Sequence, residues 1–283
     1  MSLIPLLAVL SGCKDGPLPT PVPGGSANYS VSLGEEPDFS TPHSLMLAKW
    51  WFDYEEVALS GSFADAPPLV LQTETQREGS CRLVGYAPSF CEPGCSGSDV
   101  CVEESCESYP TRLDVGTLGW AWPDGELDVA PDDLLSYYAG GSASSYGESA
   151  LTVGELELKV PAVVAALPDG DWNKVLSKRA RDEDASLRWS NPVADARVRL
   201  HMTDCVGSHG GIATAEIECE GPDTGELVIA GGFLNLLADG DWTHGECGGF
   251  ELLRYHAAAD PQDDGLRFES GAVTQFFWRP DQS

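Results

Sequence analysis

The residues in this chain best suited to chemistry are its thiols. Nine cysteines stand at positions 13, 81, 91, 95, 101, 106, 205, 219 and 247, and five of them fall within residues 81–106. The text there, CRLVGYAPSFCEPGCSGSDVCVEESC, is padded with Pro, Gly and Ser. Such a stretch cannot bury a core of its own, so it must be stapled. Disulfides and zinc both use clustered cysteines, and the C-x3-C-x5-C-x4-C spacing from Cys91 to Cys106 lacks the paired C-x2-C arms of a zinc site. Two further groups could bind something. Trp120 and Trp122 are two apart, so on a strand both indoles share one face, as stacking on sugar rings requires. A sandwich core asks for the same spacing, and exposure decides between the two uses. Asp169, Asp171, Asp239 and Asp241 offer hard oxygens to Ca2+ in two Asp-Gly-Asp-Trp stretches. Neither copy has the D-x-D-x-D-G order of a calcium loop, and a turn ending in an anchoring tryptophan accounts for them better. No other cofactor is expected. No catalytic residue is assigned: G-x-S-x-G and H-E-x-x-H are absent, and His43, His201, His209, His244 and His256 are scattered.

What the thiols become depends on the compartment, and the amino terminus bears on that. The apolar run from Leu3 to Leu10 is too short for a helix crossing ~30 Å of hydrocarbon, which takes about 20 residues, but it fits the hydrophobic region of a signal peptide. Only the α-amino group of Met1 supplies positive charge, and a true start a few basic residues upstream would complete the signal. Leu10-Ser11-Gly12-Cys13 then resembles the lipobox of bacterial lipoproteins. That resemblance implies a signal peptide over 1–12, cleavage before Cys13 and acylation of its thiol. Several acyl chains, at ~0.8 kcal/mol per buried methylene, make a stable anchor. Lys14, where the sorting rule of enteric bacteria reads Asp for inner-membrane retention, implies the outer membrane. The competing view makes residues 1–12 a buried element and Cys13 a core thiol. Parity opposes it, because setting Cys13 aside leaves eight thiols for four bridges. Export also means an oxidising compartment, which further weakens zinc.

The spacing from Cys91 to Cys106 resembles a small EGF-type knuckle, in which alternate cysteines pair. This implies Cys91 with Cys101 and Cys95 with Cys106. The cluster and the downstream set each hold an odd number of thiols, so at least one bridge must join them. Cys205 falls at the turn end of one expected strand and Cys219 at the far end of the next, and a hairpin would hold them apart. The preferred remaining pairs are Cys205–Cys247 and Cys81–Cys219.

The elements that must position these groups are strands. TRLDVGTLGWAW, ALTVGELELKV, DARVRLHM, ATAEIEC, GELVIA and FELLRYH alternate apolar and polar residues between clusters of Pro, Asp, Asn and Gly. SLMLAKWWFDYEEVALSGSF also leans to strands, and only APDDLLSYY has a helical stripe. The expectation is an all-β chain of one or two packed β-sandwich units, Ig-like or jelly-roll-like, with a small disulfide-rich insertion. After the signal, a Pro/Gly-rich tether spans 13–42. A first β-rich region covers 43–172 and includes the knuckle at 81–106, a linker covers 173–186, and a second sandwich-like region covers 187–283. GELELKVPAVVAALPDGDW at 154–172 and GELVIAGGFLNLLADGDW at 225–242 share both ends, which suggests a duplicated strand-loop unit.

Length and charge bound the function. The 283 residues are 42% hydrophobic, enough for a folded body. A formal charge of −29 repels phosphate backbones, so nucleic acid is not an expected partner. The lipobox, leash, knuckle and strands leading to LRW and ECEGPDTGEL are together similar to uncharacterised lipoproteins of myxobacteria and their relatives. That likeness implies β structure and surface placement and carries no activity. The expected function is a membrane-anchored extracytoplasmic lipoprotein that acts as a non-catalytic interaction or structural module, with a protein or polysaccharide partner. Carbohydrate binding through Trp120 and Trp122 is the alternative, and a secreted hydrolase ranks behind both.

Overall fold

In SLMLAKWW every second residue is buried, the period of a strand with one face in a core. That rhythm builds most of the molecule. The structure is a computed structural model that describes residues 36–39, 42–51, 55–69, 73–85, 91–97, 99–102, 104–203, 216–239, 249–260 and 263–278. Cys13, Cys205, Cys247 and Asp241 lie outside the described residues, as do His209 and His244.

Nine strands form one sheet. Its order is β3 (Thr73–Glu78), β4 (Cys81–Gly85), β14 (Glu216–Pro222), β13 (Arg197–Thr203), β16 (Gly249–Asp260), β17 (Asp263–Phe277), β1 (Ser44–Trp51), β2 (Glu56–Ser62) and β9 (Ser136–Ser142). All neighbours are antiparallel except β1 and β17. The sheet buries one face under two separate covers. Beneath β1, β2, β9 and the turn end of the β16–β17 hairpin lies a four-stranded sheet ordered β11 (Leu156–Val160), β10 (Ser149–Val153), β7 (Leu118–Trp122) and β8 (Gly125–Val129). Beneath β4, β14, β13 and the open end of that hairpin lie the pair β12 (Ala185–Arg188) and β15 (Glu226–Ile229) with helices α1 (Trp172–Lys178) and α2 (Gly231–Ala238). The fold is thus all-β and sandwich-like. Its long hairpin contributes Phe250, Leu252 and Phe276 to one core and Ala258, Phe268 and Ala272 to the other.

Several expectations meet this architecture differently. Strands from both sides of the expected linker interleave in the nine-stranded sheet. Within 173–186 itself, α1 buries Leu176 and β12 begins, because the apolar residues of that stretch have a core to enter. APDDLLSYY supplies a turn and the first residues of β9 rather than a helix. The two GEL…DGDW copies are not structural duplicates. After β11 the chain runs without a helix to α1, whereas after β15 it forms α2. β11 packs into one core, and β15 with α2 into the other.

Three disulfides staple the described chain. Cys91–Cys101 and Cys95–Cys106 close the knuckle, with Cα atoms 5.7 and 5.5 Å apart, around the hairpin of β5 (Val100–Val102) and β6 (Ser105–Glu107). These are the pairs that the knuckle resemblance implies. Cys81–Cys219 joins directly opposed residues of β4 and β14, with Cα atoms 4.0 Å apart and both residues fully buried.

Candidate functional site: the outer face of the large sheet

The sheet's second face carries charged residues on β13, β14 and β17 beside a small buried cluster of Leu253, Tyr255, Ala257 and Val273. Arg197, Arg199 and His201 alternate on β13 with the buried Val198, Leu200 and Met202. Glu216, Glu218 and Glu220 do the same on β14 against Ile217 and Cys219. On β17, Arg267 and Glu269 flank Phe268. The alternation puts all these charges on one side.

At the centre they form a closed network. Arg197 Nε donates to Glu220 Oε1 at 3.0 Å, and the Tyr255 hydroxyl donates to the same oxygen. Arg199 grips Glu269 with two bonds of 2.9 and 3.2 Å, lies 4.7 Å over the Tyr255 ring and donates to its hydroxyl. Arg267 joins Glu269 and Asp38, each at 3.0 Å. Glu220 and Glu269 are almost wholly buried, so the pairing is what makes their charges tolerable. Burial pushes the Tyr255 phenol up from its ordinary value, which keeps it a donor. Burial works against the Arg199 charge, but the Glu269 carboxylate more than offsets it and the guanidinium stays charged.

This network pins part of the expected tether. Glu36 presents its carbonyl to Arg197 at 2.8 Å, Asp38 pairs with Arg267, and the Phe39 ring lies 5.0 and 4.4 Å from the guanidinium carbons of Arg77 and Arg82. The leash expected over 13–42 therefore reaches the body by residue 36. Asp38→Ala should release this segment and cost about 1 kcal/mol, since the pair is only partly buried. Limited proteolysis should cut within 36–42 several times faster in the variant, and an unchanged cleavage rate would show that Asp38 holds nothing.

Beside the network lies an open depression of about 840 Å³, lined by Lys49, Trp51, Ser60, Tyr138, Glu251 and Gln275 among others. Tyr138 is 73% exposed on the edge strand β9, and Phe277 is 67% exposed at the end of β17. Lys49 Nζ lies 2.9 Å from Glu251, which also accepts from Gln275. Burial works to raise the Glu251 carboxyl, but the hydrogen bond and charge of Lys49 outweigh it and hold the group below the usual range.

The residues singled out by the sequence lie elsewhere. Trp120 and Trp122 point between the sheets with 1% and 9% exposure, so they cannot stack on an external sugar. Their rings pack 4.4 Å apart, and their indole N–H groups donate to Ser149 Oγ and the Ser142 carbonyl. Same-face spacing served the core, and Gly125 and Gly141 lie so close against Trp122 that a Cβ at either would fall within 2.6 Å of its ring. Three of the four candidate calcium ligands, Asp169, Asp171 and Asp239, are among the described residues. Asp171 caps α1 by accepting from Lys174 N and pairs with Lys174 Nζ, while Asp239 is held by Arg181 at 2.6 Å. Asp169 donates its backbone N–H to the Arg188 carbonyl in the turn before α1. What the sequence reading missed are Lys49, Trp51, Tyr138, Glu251 and Gln275. Their signal is the polar phase of strands already visible in the text, which becomes a site only once the strand order is known.

No family model and no curated protein matches the chain. Among solved structures, a Ca2+-stabilized adhesin with which an Antarctic bacterium binds ice is similar at 8% identity, over 84% of this chain and 49% of that one, with a TM-score of 0.21. A structure bearing on host cell surface retention of a 1.5-MDa bacterial ice-binding adhesin gives 8% identity over 85% and 66% of the two chains, with a TM-score of 0.19. A tetra-tandem repeat from the extending region of a large adhesion protein gives 13% identity over 82% and 49%, with a TM-score of 0.17. The chain spans about half to two thirds of the length of these chains. Scores this low do not define a shared fold.

Proposed function

We propose that this is an exported, lipid-anchored, non-catalytic module that contacts a protein partner through the outer face of its large sheet. The observation that carries the reading is the open depression around Trp51 and Tyr138, with Lys49, Glu251 and Gln275 between them. Exposed tyrosine and partly buried tryptophan are the residue types that anchor protein interfaces, because they bury large area at small cost in side-chain entropy. The mixed charges beside them set register. Burial of Trp120 and Trp122 removes the basis for sugar stacking by that pair, which favours the protein-contact reading. Export is supported by the three disulfides, which persist in oxidising compartments, and the lipobox supplies Cys13 as the anchor.

Two measurements test the two halves of the reading. Intact mass of the protein from a bacterial host should show cleavage before Cys13 with added acyl mass, and Cys13→Ser should abolish both. An unprocessed, soluble wild type would end the anchoring half. A photo-crosslinking residue placed at Tyr138 should give one discrete protein adduct in cells, whereas the same residue at Leu236, exposed on α2 beneath the opposite face, should give none. Equal labelling from both positions, or none from Tyr138, would refute the contact face.

A further inference from the structure

We propose that His201, Glu216 and Glu218 form a binding site for a divalent transition-metal ion of the Zn2+ class. The register of β13 and β14 sets His201 directly opposite Glu218, and the strand period brings Glu216 onto the same face, diagonal to the imidazole. One ligand atom from each residue lies within 4.8 Å of the other two. Zinc holds nitrogen and oxygen donors at ~2.0–2.2 Å, so two donors on a tetrahedral ion stand roughly 3.4 Å apart. His201 Nε2 and Glu216 Oε2 are already 3.2 Å apart. Two of the three donors therefore stand at ligand spacing, and Glu218 offers a third within 4.8 Å of both.

The surroundings suit a metal ligand set. Arg82 donates to Glu218 from Nε and Nη2, at 2.6 and 2.5 Å, and both bonds go to Oε2. Oε1 is left as the donor, on a carboxylate whose orientation is fixed from behind. Arg82 is itself steadied by the Phe39 ring and by Glu74 at 3.8 Å. Two carboxylates against one guanidinium leave a net negative site for a dication. The imidazole selects zinc, copper or nickel over Ca2+ and Mg2+, which prefer oxygen alone. The side chains of His201, Glu216 and Glu218 are 50%, 16% and 27% exposed, so the fourth coordination position opens to solvent and accepts water or a donor from a bound molecule. Among the described residues the other metal-like cluster, Cys91, Cys95 and Cys106, is spent in disulfides.

The test uses the protein without a histidine tag. Titration with ZnCl2 should show one saturable site, and one equivalent of CuCl2 should give an electron paramagnetic resonance spectrum with hyperfine coupling to a single imidazole nitrogen. His201→Ala should remove that coupling and weaken zinc binding at least tenfold or so, since even outer-shell changes cost about 10–100-fold. Glu216→Gln should weaken it without removing the nitrogen coupling, and His43→Ala should leave both unchanged. His201 and His43 are both exposed, so neither substitution threatens the fold. Wild-type affinity in His201→Ala, or the absence of any stoichiometric uptake by the unmodified protein, would overturn the site.

Discussion

Replacing Cys81 and Cys219 together by alanine is expected to lower the unfolding free energy by about 2–5 kcal/mol, a large fraction of the ~5–15 kcal/mol that holds a typical domain together. The bridge spans 138 residues of sequence, far more than the 10 and 11 spanned by the two knuckle bridges. In the chain-entropy account a loop of that length restricts the unfolded ensemble by about 5 kcal/mol, which sets the upper end of the range. Both residues belong to the core beneath β13 and β14, so the variant also loses packed sulfur. The sheet explains the placement. β4 pairs with only one strand besides the exposed β3, and without the bridge this end of the sheet is held by ladder bonds, the Arg82–Glu218 pair and the packing of Leu83. Urea unfolding followed by tryptophan fluorescence measures the loss. Reduction of the wild type should reproduce most of it, and an unchanged midpoint in the double variant would contradict the account.

How much of this was legible in the text follows from what is local. SLMLAKWW, DARVRLHM and FELLRYH declare strands because their alternation is written within single runs of residues. The Cys81–Cys219 pair was reachable by parity and hairpin geometry, which use only sequence order. The parallel partnership of β1 with β17 was not, since more than 200 positions separate Ser44 from its partner Leu266 and nothing in either run names the other. The candidate face inherits that blindness. Tyr138 and Glu251 became neighbours of one depression only through a strand order that crosses the chain repeatedly. Trp120 and Trp122 show the converse. Their spacing stated that they share a face, and only the second sheet said which face it was.

Asp223→Asn is expected to cost about 3–5 kcal/mol, because it would strand a guanidinium with no access to water. The side chains of Asp223 and Arg254 are both fully buried, with Arg254 Nε 2.8 Å from Asp223 Oδ2. Burial pulls Arg254 below its ordinary value, and the Asp223 charge opposes that pull. Asp223 also accepts from Trp189 Nε1 and from the backbone of Val193, each at 2.7 Å, while Arg254 Nη1 donates to the carbonyls of Val164 and Ala165. One ion pair thereby joins the end of β14, the middle of β16, the chain after β12 and the segment between β11 and α1. These come from both sides of the expected linker at 173–186. A chain knotted together in this way should unfold in a single transition, where two independent regions would give two. Asn keeps one acceptor oxygen, enough for Trp189 or Val193 but not both, so the loss combines the charge with one buried hydrogen bond. Adding Arg254→Met to Asp223→Asn should recover part of it, since a hydrophobic replacement removes the unpaired ion. Calorimetry on the single and double variants reads both quantities. A double variant less stable than Asp223→Asn alone would mean that the Arg254 bonds to Val164 and Ala165, rather than the ion pair, hold the two cores together.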